Sequence, residues 1–191
     1  MHHTEAIVVR SEPSGEANKR VWLFTKEFGL VIAMMQGVRK PEAKLQGHVM
    51  DYSMISVDLI RGKNTWRLIS AKAIESPVQG YEREPLSRVY VRTVAFLERF
   101  LVGEGMHEEL FQHIQDLGTI VKQKGDSKDI VRSLDALSLW KVLVLLGYIA
   151  IEDNEKHFFT LPLSEAAVLL SDSDIKKLIK GATDAIHSSH L

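Results

Sequence analysis

The sequence predicts an α+β protein, mainly β and then mainly α, in which a small β-barrel precedes an all-α domain. Short segments rich in β-branched and aromatic residues fill roughly the first 75 residues, and in the second half apolar residues recur every three or four residues. The first pattern is typical of strands, and the second is that of one helix face. Turn-forming Pro77, Gly80 and Pro85 lie between the two regions. We therefore place the domains at residues 1–78 and 79–191.

Five segments of the N-terminal region have the composition of β-strands. They are rich in β-branched and aromatic residues and are bounded by Gly, Pro, Ser and Asn. These segments are residues 5–11, 21–25, 29–36, 54–61 and 65–75. Gly62 and Asn64 between the last two strands indicate a hairpin turn. Five short strands in so few residues are typical of a small barrel, and we predict a five-stranded OB-fold.

The C-terminal region has five segments with helical periodicity. They are residues 86–102, 107–124, 129–146, 164–170 and 173–188. Gly147 is a suitable end for the third helix, and Asp172 or Ser173 is a possible N-cap for the last one. The polar residues 153–156 predict a turn, with a small hairpin as the alternative.

Composition excludes several classes of protein. The chain has no cysteine, which rules out disulfides, cysteine-based zinc sites and thiol catalysis. No apolar run approaches the roughly twenty residues that a membrane span needs. The N-terminus has neither a basic start nor an apolar stretch, so we expect no signal peptide. These features fit a cytoplasmic protein.

Motifs that support catalysis or cofactor binding are absent. The sequence contains no phosphate-binding glycine loop, no Gly-x-Ser-x-Gly elbow and no His-Glu-x-x-His pair. His107 and His113 are six residues apart, so they point in different directions on a helix. Acidic pairs such as Asp172 and Asp174 lie where capping explains them. We expect a binding protein, not an enzyme, with no metal and no cofactor.

The basic residues are concentrated in the first half of the chain. Residues 1–80 hold 11 Lys and Arg against 8 Asp and Glu, whereas residues 81–191 hold 13 against 17. Basic side chains in loops can follow a phosphate backbone, although such residues are often merely solvated. Trp66 offers a face for base stacking, with a core position as the alternative. The candidates from the residues alone are Lys19, Arg20, Arg39, Lys40, Lys44, Arg61, Lys63, Trp66 and Arg67.

An ordered set of motifs resembles the RecO family of DNA repair proteins. The set runs through the predicted barrel and includes one helix, at residues 140–148, that ends in Leu-Leu-Gly-Tyr. The barrel motifs are residues 4–10 with Gly15, Glu16 and Arg20; residues 23–29; residues 37–41 with Lys44; and Arg61, Gly62, Trp66, Arg67, Leu68 and Ala71.

The resemblance implies a protein of DNA repair by homologous recombination. RecO proteins have an OB-fold and a helical domain, bind single- and double-stranded DNA and anneal complementary strands. With RecR, and sometimes RecF, they help load RecA onto DNA coated by single-stranded-DNA-binding protein, so we expect a nucleoid-associated location. The DNA surface implied here is Arg10, Lys19, Arg20, Arg39, Lys40, Lys44, Arg61 and Lys63.

The helical domain of some RecO proteins binds the acidic tail of single-stranded-DNA-binding protein. Arg132 and Lys141, both on the third predicted helix, are the candidates for such a partner surface. Many members also carry a four-cysteine zinc module, but residues 149–161 are short and contain no cysteine. A second interpretation remains open, in which the barrel is structural and the acidic helical half binds a protein partner.

Overall fold

The computed structural model describes residues 1–36, 49–63, 65–78, 84–101, 103–124 and 130–189. Within these residues, five strands precede six helices. This order confirms the predicted α+β class, with a mainly β half followed by a mainly α half.

The strands form one closed barrel. They are β1 (His2–Ser14), β2 (Asn18–Thr25), β3 (Gly29–Met35), β4 (Met54–Arg61) and β5 (Trp66–Glu75). Their order is β1-β2-β3-β5-β4, and β4 pairs with β1 to close the barrel. The pairing of β3 with β5 is parallel, whereas the other pairs are antiparallel. This is the five-stranded OB-fold that the sequence predicts.

The alternation of apolar residues places one side of each strand inside the barrel. Strands of period two put every second side chain on the same face, and burying those side chains supplies most of the stability of a small barrel. The interior side chains of β2, β3 and β4 are Val21, Leu23, Val31, Ala33, Met35, Ile55, Val57 and Leu59. Among the outward positions between them, Trp22 is buried, whereas Ser56 and Asp58 are partly exposed.

Six helices make up the rest of the described chain. They are α1 (Pro85–Phe100), α2 (Glu108–Lys124), α3 (Val131–Leu145), α4 (Lys156–Thr160), α5 (Leu163–Leu169) and α6 (Asp172–Ser188). Helix α3 packs against α1, α5 and α6. It buries Leu134, Leu137, Trp140 and Leu143, as a helix surrounded by others must. None of the described helices is long and apolar enough to cross a membrane.

Several local details differ from the sequence predictions, including β2, which begins at Asn18 and so contains Lys19 and Arg20. Strand β1 is longer than expected because its start pairs with β4 and its end with β2. Residues 153–155 form the predicted turn, but the short helix α4 follows in place of a hairpin. The N-cap of α6 is Ser171, neither Asp172 nor Ser173; its hydroxyl accepts from the backbone N–H of Asp174, whose carboxylate accepts in return.

The contacts between residues divide the chain into two compact units. One unit comprises Met1–Gln79 together with Leu101–Phe111, and the other comprises Gly80–Phe100 and Gln112–Leu191. The first unit thus contains the barrel and a later segment of chain that returns to it. The domain boundary between residues 78 and 79 stays a prediction.

Candidate nucleic-acid interface

A β-bulge in β1 determines where Arg10 points. Ala6 and Val8 lie in the barrel core, so strict alternation would place Arg10 inside as well. The register of β1 against β2 shifts between Val8 and Arg10, which leaves Val9 as the extra residue. Such a bulge re-aims the side chains that follow it. Arg10 therefore lies opposite Trp22, on the outer face of the barrel.

Two arginines flank the ring of Trp22 on this outer face. The guanidinium carbon of Arg10 lies 3.8 Å from the ring centroid, and that of Arg20 lies 5.9 Å from it. Trp22 itself is only 7% exposed, so it supports the arginines and offers no free face for a base. Sequence reasoning did not single out Trp22, since its neighbours indicate only a strand.

Glu12 lies between the same two arginines. Its carboxylate oxygens lie 3.5 Å from Nη1 of Arg10 and 3.4 Å from Nη1 of Arg20. All three side chains are about two-fifths exposed, at 41%, 38% and 46% for Arg10, Glu12 and Arg20. Ion pairs this accessible to water contribute roughly 0–1 kcal/mol, so an external anion can compete for the guanidinium groups.

The strand register brings Arg20 and Arg67 into one row. Arg20 on β2 lies opposite Met34 on β3, and Met34 lies opposite Arg67 on β5. All three side chains point outward because the residues next to them in sequence point into the core. These core residues are Val21 beside Arg20, Ala33 and Met35 on either side of Met34, and Leu68 beside Arg67. With neighbouring strands about 5 Å apart, the Cα atoms of the two arginines are about 10 Å apart.

The β4–β5 hairpin carries the next basic residues. Arg61 and Lys63 are exposed, and a carboxylate oxygen of Glu104 lies 3.0 Å from Nη2 of Arg61. Trp66, at the start of β5, is 3% exposed and belongs to the barrel core, where its ring lies 5.2 Å from that of Phe28. This burial favours the core alternative for Trp66, so we do not include it as a stacking surface.

The remaining predicted residues of the barrel are less informative. Lys19 is half-buried at the start of β2, opposite Met35. Arg39, Lys40 and Lys44 lie outside the described residues. The structure therefore brings together Arg10, Arg20 and Arg67 on the outer face, with Arg61 and Lys63 at the hairpin. The acidic residues Glu12 and Glu104, which sequence reasoning missed, lie against them.

In the helical unit, Arg132 and Lys141 do not share a surface. They are nine residues apart on α3, which is two and a half helical turns, so they lie on opposite faces. Arg132 donates to Asp172 at 2.8 Å. Lys141 is partly buried, with Nζ 5.5 Å from the ring centroid of Phe159, and burial lowers its pKa. Their role in partner binding stays a prediction.

Known proteins share this sequence pattern. The family model described as Recombination protein O N terminal matches residues 1–77. The DNA repair protein RecO of Pelotomaculum thermopropionicum is 30% identical over 159 residues, which are 82% of this chain and 59% of the relative. That of Dehalococcoides mccartyi is 32% identical over 111 residues, 57% of this chain and 43% of the relative. The chain belongs to the RecO family.

The match to the RecO family covers the whole barrel. Residues 1–77 include all five strands and all the basic residues of the candidate interface, but neither Arg132 nor Lys141. The chain spans 59% of the length of the first RecO relative and 43% of the second. Across the residues that the structure describes, no three histidine or acidic side chains are grouped closely enough to hold a metal ion.

Proposed function

We propose that this chain is a cytoplasmic, nucleoid-associated DNA repair and recombination mediator that binds DNA through the outer face of its barrel. The observation that carries this proposal is the set of three arginines on the outer face of the barrel. Arg20 on β2 and Arg67 on β5 lie in one row across β3, and Arg10 on β1 lies beside Arg20 at the Trp22 ring. The fold that carries them is an OB-fold whose relatives are named DNA repair proteins. No catalytic role is proposed for any residue.

Arginines arranged in this way suit a phosphate backbone. Each guanidinium that neutralises a phosphate releases a condensed counterion, so the affinity should fall steeply with salt. The side chains project from strands, which hold them at set spacings while their ends stay accessible to solvent. Because Trp22 is covered and Trp66 is buried, the contacts we propose are mainly electrostatic and do not depend on base sequence.

The finer activities of the RecO family are part of this proposal. They are annealing of complementary strands and loading of RecA, with RecR, onto DNA coated by single-stranded-DNA-binding protein. RecF and the acidic tail of single-stranded-DNA-binding protein are further proposed partners. Support for these activities is the family membership, and since this chain spans 59% of the first relative, each needs its own assay.

Titration of fluorescently labelled single- and double-stranded oligonucleotides at several salt concentrations tests the proposal. We expect binding to both, with the logarithm of the association constant falling linearly with the logarithm of salt concentration. The titration should be made with and without RecR, since the partner can contribute part of the DNA surface. Absence of binding in both cases, or binding that does not change with salt, would contradict the proposal.

A second candidate function is a protein-interaction module with a structural barrel. The observation that favours it is a pair of exposed apolar residues on α5, where Val168 is 66% exposed and Leu169 is 61% exposed. Apolar side chains exposed next to each other are typical of protein contacts. Affinity capture of RecR from nuclease-treated lysate separates the candidates: capture that needs no DNA, together with no DNA binding by the chain, would favour the module.

A further inference from the structure

A short segment that follows the first helix returns to the barrel and contacts the start of β3. We call residues 103–105 the strap. Glu104 forms an isolated β-bridge with Gly29, and the backbone N–H of Gly105 donates to the carbonyl oxygen of Phe28 at 3.2 Å. These backbone contacts hold the strap against the start of β3. They also determine where the side chain of Glu104 can reach.

The Glu104 carboxylate accepts from two donors of the β4–β5 hairpin. One oxygen lies 3.0 Å from Nη2 of Arg61, and the other accepts from Nε1 of Trp66 at 2.9 Å. The guanidinium of Arg61 also lies over the Trp66 ring, 5.5 Å from its centroid. Both donors thus converge on the two oxygens of a single anionic group.

We propose that Arg61 and the indole N–H of Trp66 form a phosphate-binding position that Glu104 fills in the absence of DNA. A phosphate presents two oxygens to such a donor pair as a carboxylate does, and charged hydrogen bonds to guanidinium are among the strongest in proteins. The inference rests on the proposed function, because the phosphate is that of single-stranded DNA bound to the barrel. Glu104 is then the residue that DNA must displace.

The two donors differ in burial, and this difference favours the exchange. Side chains of Arg61 and Glu104 are 65% and 41% exposed, so their ion pair is weak and solvent can reach it. Trp66 is 3% exposed, and its N–H would be costly to leave without an acceptor. When Glu104 leaves, the N–H of Trp66 therefore needs another hydrogen-bond acceptor. An anionic acceptor can also form an ion pair with Arg61.

A double-mutant cycle tests the displacement. The four proteins are the wild type, Glu104→Gln, Arg61→Gln and the double variant, with Glu109→Gln as the matched control. Glutamine keeps an oxygen that can accept from Trp66 but removes the charge that holds Arg61. Glu109 is an exposed acid five residues along the same segment, at the start of α2. Affinity for oligothymidylate is measured at several salt concentrations, and thermal melting verifies folding.

We expect Glu104→Gln to raise the association constant about twofold to fivefold at low salt. The slope of the logarithm of the association constant against the logarithm of salt concentration should also become steeper by about 0.7. In the wild type, the carboxylate that DNA displaces from Arg61 takes up a cation and offsets part of the counterion release. In Glu104→Gln there is no such carboxylate. In the Arg61→Gln background the same substitution should have no effect. Glu109→Gln should leave affinity near the wild-type value.

Three results of the affinity measurements overturn the inference while leaving DNA binding intact. They are an unchanged or weaker affinity in Glu104→Gln, an equal gain in Glu109→Gln, and a gain that persists without Arg61. The indole N–H resonance of Trp66 gives a second readout in the wild type, assigned by through-bond NMR experiments. It should shift when DNA saturates the protein, and an unmoved resonance also overturns the inference. If no variant binds DNA, the proposed function fails and this inference fails with it.

Discussion

His113 is a titratable side chain enclosed within the helical unit. It is 5% exposed, and its Nε2 lies 3.2 Å from the carbonyl oxygen of Ser138, to which the neutral ring donates. Burial, and then the nearby ammonium group of Lys141, lower the pKa of His113 from 6.5 to about 4. The native protein therefore keeps this ring neutral through most of the weakly acidic range.

This lowered pKa predicts a loss of stability in acid. Between pH 6.5 and about 4 the unfolded chain binds a proton at His113 and the native protein does not, so the free energy of unfolding falls as the pH falls. Between pH 7 and pH 4.5 the free energy of unfolding of the wild type should fall by about 2 kcal/mol more than that of His113→Gln. The glutamine amide of this variant can still donate to the carbonyl oxygen of Ser138. Urea denaturation at the two pH values measures the difference.

The exposed His187 on α6 provides the control for this prediction. His187→Gln should keep the wild-type dependence of stability on pH. If His113→Gln loses as much stability in acid as the wild type does, the interpretation of His113 as a buried neutral ring is wrong.

The residues of the candidate interface differ in how far the sequence predicts them. Exposed cations at strand ends, such as Arg61 and Arg67, follow from residue type and position in the strand. Arg10 does not, since only the bulge at Val9 turns it away from the core. Glu104 lies 38 positions from Trp66, so no local pattern could have paired them. Long-range contacts of this kind depend on the fold.

Gly29 is the residue at which β3 begins and the strap comes closest. Its φ of +66° lies in the left-handed region, and a Cβ built there would lie 2.3 Å from the carbonyl oxygen of Gly105. Gly15, in the β1–β2 turn, has a similar φ of +69° but nothing within 4 Å of such a Cβ. Substituting alanine at these two glycines therefore separates two costs in stability. One is the cost of the left-handed backbone conformation, and the other is the cost of a steric clash with the strap.

We expect Gly15→Ala to lower the free energy of unfolding by about 1–2 kcal/mol, the cost of the left-handed conformation for alanine. Gly29→Ala should cost at least about 1 kcal/mol more, because the methyl group also forces the strap away from the barrel. Urea denaturation followed by circular dichroism measures both. Equal losses in the two variants would show that the strap does not pack closely on Gly29.

The strands were more predictable than the shorter helical elements. Runs of β-branched and aromatic residues bounded by turn-forming residues located all five strands, and the last two also alternate apolar with polar residues. Helix α4 is only 5 residues long, which is too short for a 3.6-residue period to show. The N-cap of α6 was misplaced by one residue or more, since Ser171, Asp172 and Ser173 are all good caps by composition and only the hydrogen bonds distinguish them.

The change in net charge along the chain coincides with the change from strands to helices. The barrel half holds the excess of basic residues, and the helical half holds the excess of acidic ones. The family resemblance predicted the OB-fold and its basic face, but the arrangement of that face needed the strand order β1-β2-β3-β5-β4. Parallel pairing of β3 with β5 brings Arg20 and Arg67 into one row although they are far apart in sequence.

The salt dependence of single-stranded DNA binding by Arg20→Gln/Arg67→Gln tests the central claim most directly. Loss of two phosphate contacts should reduce the logarithmic slope by about 1.4 relative to the wild type. The control is Lys176→Gln/Lys180→Gln, which removes two exposed charges from α6 in the helical unit and should leave the slope unchanged. A wild-type slope in Arg20→Gln/Arg67→Gln would contradict the claim that DNA binds the outer face of the barrel.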